Sequence, residues 1–304
     1  MDCCVTESSV LGSRHYADFL KSQGKMVYEL DGVFWMNHHS ALIPTSAMPV
    51  YTDLSYKEAV QLVNKSGALF LRYATGPVMA PSSWWNIVCR HYDFNKVSSN
   101  TRSKIRRGLR RLDIKRVSPD KIAEQGYQCH VKCYSRYKHA LPQSKKAFES
   151  FLQSLTGQSI FDIWACTKDK QLLGYILCLV ENNGVFMHTI DITPAGLRDY
   201  AAYAMIHHIL QFYVNEKALP VSNGSRSIAH DTHMQDFLCK LGFEKEYAEL
   251  HVIYRPDIRL VVSLLYPFRK ALKLLNGISF VHKVSSILFQ EQIVRKQIAS
   301  QLST

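Results

Sequence analysis

The 304 residues amount to about two domains at roughly 150 residues each, and 47% hydrophobic against 20% charged residues excludes a disordered chain. No apolar run approaches the roughly 18 residues needed to span a bilayer. The start, Met1-Asp2-Cys3-Cys4-Val5-Thr6-Glu7, has neither the basic nor the apolar part of a secretory signal, so a cytoplasmic protein is expected. The charge is less ordinary: 37 Lys and Arg against 25 Asp and Glu leave +12, which suggests an anionic partner such as nucleic acid, a phosphorylated cofactor or an anionic membrane surface.

The first hundred residues read as mixed α and β. Residues 26–30 and 33–36 flank Asp31-Gly32, a hairpin signal. Residues 55–64 carry Ala59, Val60, Leu62 and Val63 and predict a helix, and residues 68–73 a buried strand ended by Gly76-Pro77. At 102–116 the character changes: Arg102, Lys104, Arg106, Arg107, Arg110, Arg111, Lys115 and Arg116 face only Asp113. Ile105, Leu109 and Leu112 recur with helical spacing, so a helix with one apolar stripe is predicted. Solvated faces normally mix both signs, so this cluster reads as an anion-contacting face.

From 117 the pattern is regular. Helices are predicted at 119–138 and 144–155, strands at 161–167, 172–180 and 185–192, a helix at 200–216, a strand at 221–228, a helix at 232–241 and a strand at 247–254. The eight cysteines are scattered, several in apolar runs, and read as reduced core thiols. Neither Cys129-x-x-x-Cys133 nor His230-x-x-His233 is completed by the further ligands a zinc site needs, so no metal is expected.

The order helix, helix, three antiparallel strands, helix, strand, helix, strand resembles the GNAT acyltransferase fold, and Lys240-Leu241-Gly242-Phe243-Glu244 resembles that family's last helix-to-strand junction. The wider chain, over about 26–256, resembles the FemAB-like branch. This likeness rests on Asn100-Thr101-Arg102, on Ile105-Arg106-Arg107-Gly108-Leu109, on Gly224-Ser225-Arg226-Ser227-Ile228, and on His230, Thr232, Gln235-Asp236-Phe237-Leu238 and Gly242-Phe243. The resemblance implies an α+β fold with a GNAT-like mixed, mostly antiparallel sheet flanked by helices. It also implies a degenerate N-terminal GNAT-like half at 1–100, a basic helical connector at 101–116, the acyltransferase domain at 117–256 and a basic amphipathic helical tail at 257–304.

In the family, two central strands splay and the donor's pyrophosphate rests on the following Gly-rich turn, where open N–H groups and the helix dipole meet negative charge. Here that turn is 193–202, with Arg198, Tyr200 and Ala201, and Asn223 on the neighbouring strand, as the expected donor-binding residues. It lacks the basic-x-x-Gly-x-Gly spacing, since Ala201 stands where Gly lets phosphate approach closely. That departure weakens acetyl-CoA and suits the aminoacyl-tRNA or other activated donors of FemAB-like enzymes. A plain strand-to-helix loop is the alternative. The Tyr acid of many GNAT enzymes is replaced by Leu238. Candidate bases are His188 and Asp191, which alternation puts on opposite faces unless a bulge intervenes, and Asp231, which also suits a helix N-cap. Arg226, in a small apolar strand, calls for an anionic partner; with His230, His233, Arg106, Arg107 and Arg110 it is a candidate substrate contact.

The tail carries Arg259, Arg269, Lys270, Lys273, Lys283, Arg295 and Lys296 against Asp257 and Glu291, beside a dense apolar set at 258–268. It either packs on the domain or lies on the inner face of an anionic membrane. Together these readings predict an N-acyl- or aminoacyltransferase that passes an acyl group from acyl-CoA, an acyl carrier or aminoacyl-tRNA to an amine, with no tightly bound cofactor. The competing reading is a non-catalytic GNAT-fold module that binds RNA or an anionic membrane.

Overall fold

The computed structural model describes residues 7–136, 141–228, 233–274 and 279–301. The chain forms two compact units, one of Met1–Ile87, Gly224–Gln235 and Lys245–Thr304, the other of Val88–Asn223 and Asp236–Glu244. The first therefore joins both ends of the chain.

It opens with α1 (Glu7–Ser22) and the hairpin of β1 (Val27–Leu30) and β2 (Val33–His38). Asp31 and Gly32 both take positive φ, 50° and 73°, which matches the right-handed strand twist. β3 (Ala41–Pro44) precedes α2 (Tyr56–Ser66). The α2 start is a capping box: Ser55 Oγ accepts from Glu58 N–H, and the Glu58 carboxylate accepts from Ser55 N–H. β4 (Phe70–Thr75) and β5 (Trp84–Cys89) follow.

The second unit begins with α3 (Ser99–Arg111), capped by Ser98, whose Oγ accepts from Thr101 N–H. The basic segment is helical only to Arg111; from Asp113 it becomes the strand β6 (Asp113–Val117), antiparallel to β7 (Phe161–Lys168). A charged strand suits this end of the sheet, where exposed cations discourage further pairing. Between them lie α4 (Pro119–Ala123), α5 (Gly126–Tyr134) and α6 (Lys145–Ser154). The long helix expected at 119–138 is broken at Gln125, whose backbone leaves helical geometry (φ −122°, ψ −10°) while its side chain donates to Lys170 O and accepts from Leu172 N–H. β8 (Gln171–Glu181) and β9 (Gly184–Ile192) complete an antiparallel meander. Then come α7 (Pro194–Arg198), α8 (Ala201–Leu210), which runs into a π turn at Gln211–Glu216, β10 (Val221–Ser225) and α9 (Met234–Cys239).

The chain returns to the first unit through β11 (Glu244–Tyr254), α10 (Pro256–Leu265), α11 (Arg269–Leu274) and α12 (Ser279–Gln301). Strand order is β1-β2-β3-β4-β11-β5 in the first unit and β10-β9-β8-β7-β6 in the second. Alternation along β4 divides the first core. Leu71 and Tyr73 pack with Leu62 and Val63 of α2, while Phe70 and Ala74 face clusters holding Val262 of α10 and Leu288 and Ile293 of α12. The tail helices thus pack on the sheet. Among the described residues no helix is long and apolar enough to cross a membrane. The architecture is the mixed α+β, mostly antiparallel sheet flanked by helices expected from the sequence, with a helical tail.

Candidate active site

The second unit gathers the chemistry-bearing residues. β9 pairs antiparallel with β8 along its length, but it meets the parallel β10 only at Val185 with Val221 and Phe186 with Ser222. Beyond those pairs the two strands part, and the backbone edge of β9 from Met187 onward is open on that side.

α8 starts at this end of β9. Tyr200, before its first turn, has φ 64° and ψ 28°, and no side chain caps the helix. Its leading N–H groups are therefore left without a side-chain cap, with the positive end of the helix dipole behind them. α7, by contrast, is closed by the Thr193 hydroxyl, which accepts from Gly196 N–H.

α3 lies directly against the start of α8. The contact runs through Gly108, where a Cβ would come within 2.7 Å of Ala204 Cβ and 2.9 Å of Tyr200 O. The buried stripe is therefore Thr101, Ile105, Gly108 and Leu112; Leu109, expected on it, is turned outward at 39% exposure. Leu109 lies about 100° round the helix from Gly108, and only a residue without a side chain fits so close to Tyr200.

This seating carries cations to the α8 start. Lys104 Nζ donates to Tyr203 Oη at 3.4 Å, Arg107 donates to Tyr200 Oη at 3.5 Å, and Arg111 lies over the Tyr200 ring at 5.9 Å. Arg111 also pairs with Asp199 at 3.1 Å, and Lys168 pairs with the same carboxylate at 2.8 Å. The hydrogen bond from Lys168 and the two positive charges hold the Asp199 carboxyl below its ordinary range. Arg198 is exposed on the same turn, and Arg106 and Arg110 are exposed on α3, Arg106 over the Phe94 ring at 5.3 Å. Of the expected donor contacts, Tyr200 thus meets Arg107, with Arg198 and Ala201 close to it in sequence. Asn223 lies half-buried on β10. The sequence reading set the cationic helix with Lys104 against a phosphorylated ligand but did not place Lys168 and Asp199 at this site, and it took Gly108 only as part of a resemblance. The signal that singles out Gly108 is a glycine inside an otherwise cationic helix.

The other face of β9 is covered by α5 and α6. Asp191 is 7% exposed, and its Oδ2 accepts from Tyr175 Oη at 2.6 Å and from His130 Nδ1 at 2.7 Å. Gln143 N–H donates to His130 Nε2 at 3.2 Å, so the proton of a neutral ring sits on Nδ1. Burial and the Asp191 charge push the Tyr175 hydroxyl well up, so it remains a donor. Cys129 and Cys133, 2% and 1% exposed, lie on the same helix turn as His130. The hydrogen bond with Cys133, then burial, raises the Cys129 thiol far above its usual value. Among the described residues no group of three or more His, Cys, Asp or Glu is placed to hold a metal.

His188 is the extra residue of a bulge, since Thr189 faces Leu177 while Met187 faces Cys178. Its ring lies beside Phe151 of α6 and Phe186, at 6.4 and 6.0 Å, with Nδ1 3.1 Å from Thr189 Oγ1. The bulge brings His188 and Asp191 to the same side of β9, which strict alternation forbids. Solvent reaches the His188 ring, although its close protein surroundings lower its pKa.

Arg226 and His233 belong to the first unit. Arg226 donates to Ser83 O at 2.7 Å and lies over the rings of Trp85 and Phe289, at 4.4 and 5.2 Å. His233 is exposed. His230 and Asp231 lie outside the described residues.

His207 of α8 also carries a testable consequence. Its Nδ1 is 2.6 Å from Tyr92 Oη, and burial lowers its pKa from 6.5 to about 4. Between those values the unfolded chain takes up a proton that the folded chain refuses. Stability is therefore expected to fall as pH drops from 6.5 to 4, by on the order of 1 kcal/mol for a partly exposed ring. Urea midpoints across that range should show a shallower fall in His207→Phe than in the unaltered protein.

No protein-family profile matches the chain, and no curated protein matches it by sequence. Solved structures do. The C-terminal domain assigned to a lysylphosphatidylglycerol synthetase of Agrobacterium fabrum superposes with a TM-score of 0.55 at 13% identity, covering 84% of this chain and 93% of that one. FemX superposes with a TM-score of 0.51 at 9% identity over 81% of this chain and 93% of its own. A conserved protein of unknown function from Bacteroides thetaiotaomicron gives 0.53 at 9% identity over 81% and 91%. At such identities the likeness is one of fold, and with the parting of β9 from β10 it gives this chain a GNAT-like fold.

Proposed function

We propose that the protein is an N-acyl- or aminoacyltransferase of FemAB-like type, using a phosphorylated donor (acyl-CoA, an acyl carrier or aminoacyl-tRNA) and an amine acceptor. The observation that carries the reading is the seating of α3 on the uncapped start of α8. It surrounds open N–H groups with Lys104, Arg107 and Arg111 at the point where β9 and β10 separate. Such a place offers a phosphate both hydrogen bonds and positive charge. The neighbour named for lysylphosphatidylglycerol synthesis has an aminoacyl product in its name, which favours an aminoacyl group here.

In this reading the donor's phosphate rests at the α8 start and its acyl carbon enters the gap beside β9. The acceptor amine comes from the α5 and α6 side. His188, on the acceptor side of β9, takes the ammonium proton. The freed nitrogen attacks the acyl carbon, and open-edge N–H groups of β9 stabilise the oxyanion. The C–N bond forms, the C–S or C–O bond to the donor breaks, and the proton shed by the attacking nitrogen passes to the leaving thiolate or alkoxide.

Thermal shift against CoA, acyl-CoA, uncharged tRNA and aminoacyl-tRNA, followed by mass spectrometry of amine acceptors, tests the assignment. A donor at a hundred times its Kd is expected to add about 2.7 kcal/mol of stability. Arg107→Ala/Arg111→Ala alters exposed side chains and should weaken that donor about tenfold or more. Salt-sensitive RNA binding with no response to any thioester or charged tRNA would move the protein to the non-catalytic reading.

A further inference from the structure

Single exposed apolar side chains are ordinary, but four large ones cluster within residues 260–268. Leu260, Val261, Leu264 and Phe268 are 63%, 49%, 63% and 62% exposed. Their spacing places them along one side of α10 and the short turn Tyr266–Phe268 that continues it. The opposite side is already engaged. Val262 is buried, and Ile258, Leu265 and Tyr266 pack in the cluster that holds Phe70, Tyr254 and Leu288. The ridge is therefore held rigidly by the core beneath it, and docking it on a partner demands little further ordering.

The segment that carries the ridge is strongly cationic. Residues 255–274 carry Arg255, Arg259, Arg269, Lys270 and Lys273 against the single acid Asp257. Asp257 is itself occupied by Arg255, at 2.6 Å. Arg259 and Lys270 are exposed, and Arg269 lies over the Tyr266 ring at 4.3 Å.

We propose that this face docks on an anionic bilayer surface. Leu260, Val261, Leu264 and Phe268 enter the boundary between headgroups and acyl chains, and Arg259 and Lys270 meet lipid phosphates. A second copy of the chain fits less well. A two-fold contact would set each patch against its own image, cation near cation, with Asp257 already taken by Arg255. The inference rests on the tail alone and stands whether or not the transfer chemistry does.

The test is co-sedimentation of the full-length protein with vesicles of phosphatidylcholine alone, or with one lipid in three replaced by phosphatidylserine or phosphatidylglycerol. Binding to both anionic mixtures and not to phosphatidylcholine is expected, weakening as salt rises. Leu264→Glu/Phe268→Glu should lower the affinity about a hundredfold or more, as losing two buried apolar side chains implies. Circular dichroism and melting should show that the variant remains folded. Arg259→Glu/Lys270→Glu should act in the same direction. Three results would overturn the proposal: no binding to either anionic mixture; binding that survives Leu264→Glu/Phe268→Glu but is lost in Arg106→Glu/Arg107→Glu; or a solution dimer that Leu264→Glu dissociates.

Discussion

Asp191→Ala is expected to cost about 3–5 kcal/mol of folding stability, read as a lower urea midpoint with an unchanged slope. The carboxylate oxygen Oδ2 is the shared acceptor for Tyr175 and His130, and all three side chains are buried. Removing it leaves two donors in the core without water or an acceptor, each costing about 1–3 kcal/mol. Those donors tie α5 to β8 and β9, so the loss also loosens the helix layer over that face of the sheet. Asp191→Asn keeps a carbonyl oxygen in the same place and should cost only about 1–2 kcal/mol. The milder variant also separates two roles for this carboxylate. If Asp191 positions α5 and His188 takes the proton, Asp191→Asn should leave kcat within about tenfold of the unaltered enzyme. A fall of about a hundredfold or more in kcat with normal stability would make Asp191 the base instead.

Gly108→Ala is expected to destabilise the protein by about 1–2 kcal/mol, and Gly108→Val by about 2–3 kcal/mol. The sign is the informative part. In a helix that merely faces solvent, replacing Gly with Ala gains roughly 0.5–1 kcal/mol from propensity. Here the new methyl would come 2.7 Å from Ala204 Cβ and 2.9 Å from Tyr200 O. The carbonyl belongs to the backbone just before α8, so the strain moves α3 away from that helix. Arg107 and Arg111 move with it, and a displacement of about 1 Å can cost a hundredfold where geometry matters. The donor affinity of Gly108→Ala should therefore fall even though no charge has changed. A melting temperature that rises in Gly108→Ala, with donor affinity intact, would show that α3 is not seated as described.

The periodic signals in the chain were read correctly where a local rule governs them. Asp31-Gly32 makes the expected tight turn, the apolar spacing of Ala59, Val60, Leu62 and Val63 marks α2, and the strand periods at 161–192 form a meander. Local rules do not govern the end of the basic segment. Residues 112–116 keep the cationic composition of the helix before them, yet pairing with β7 makes them a strand. The helix expected at 119–138 is likewise interrupted where the Gln125 backbone departs from helical geometry and its side chain holds a turn about 45 residues further on.

The amino-acid order alone thus determined the α+β class, the succession of elements in the second unit, and the two places where positive charge concentrates. Tertiary structure decided what those charges face. α3 meets the α8 start because Gly108 lets two backbones approach, and no periodicity records that contact with Ala204, 96 positions away. The bulge at His188 and the shared oxygen of Asp191 likewise depend on partners from β8, α5 and α6. Periodicity follows from side chains that are neighbours in sequence. A site depends on which surfaces come together when distant elements bury their apolar faces, and that is settled only by packing.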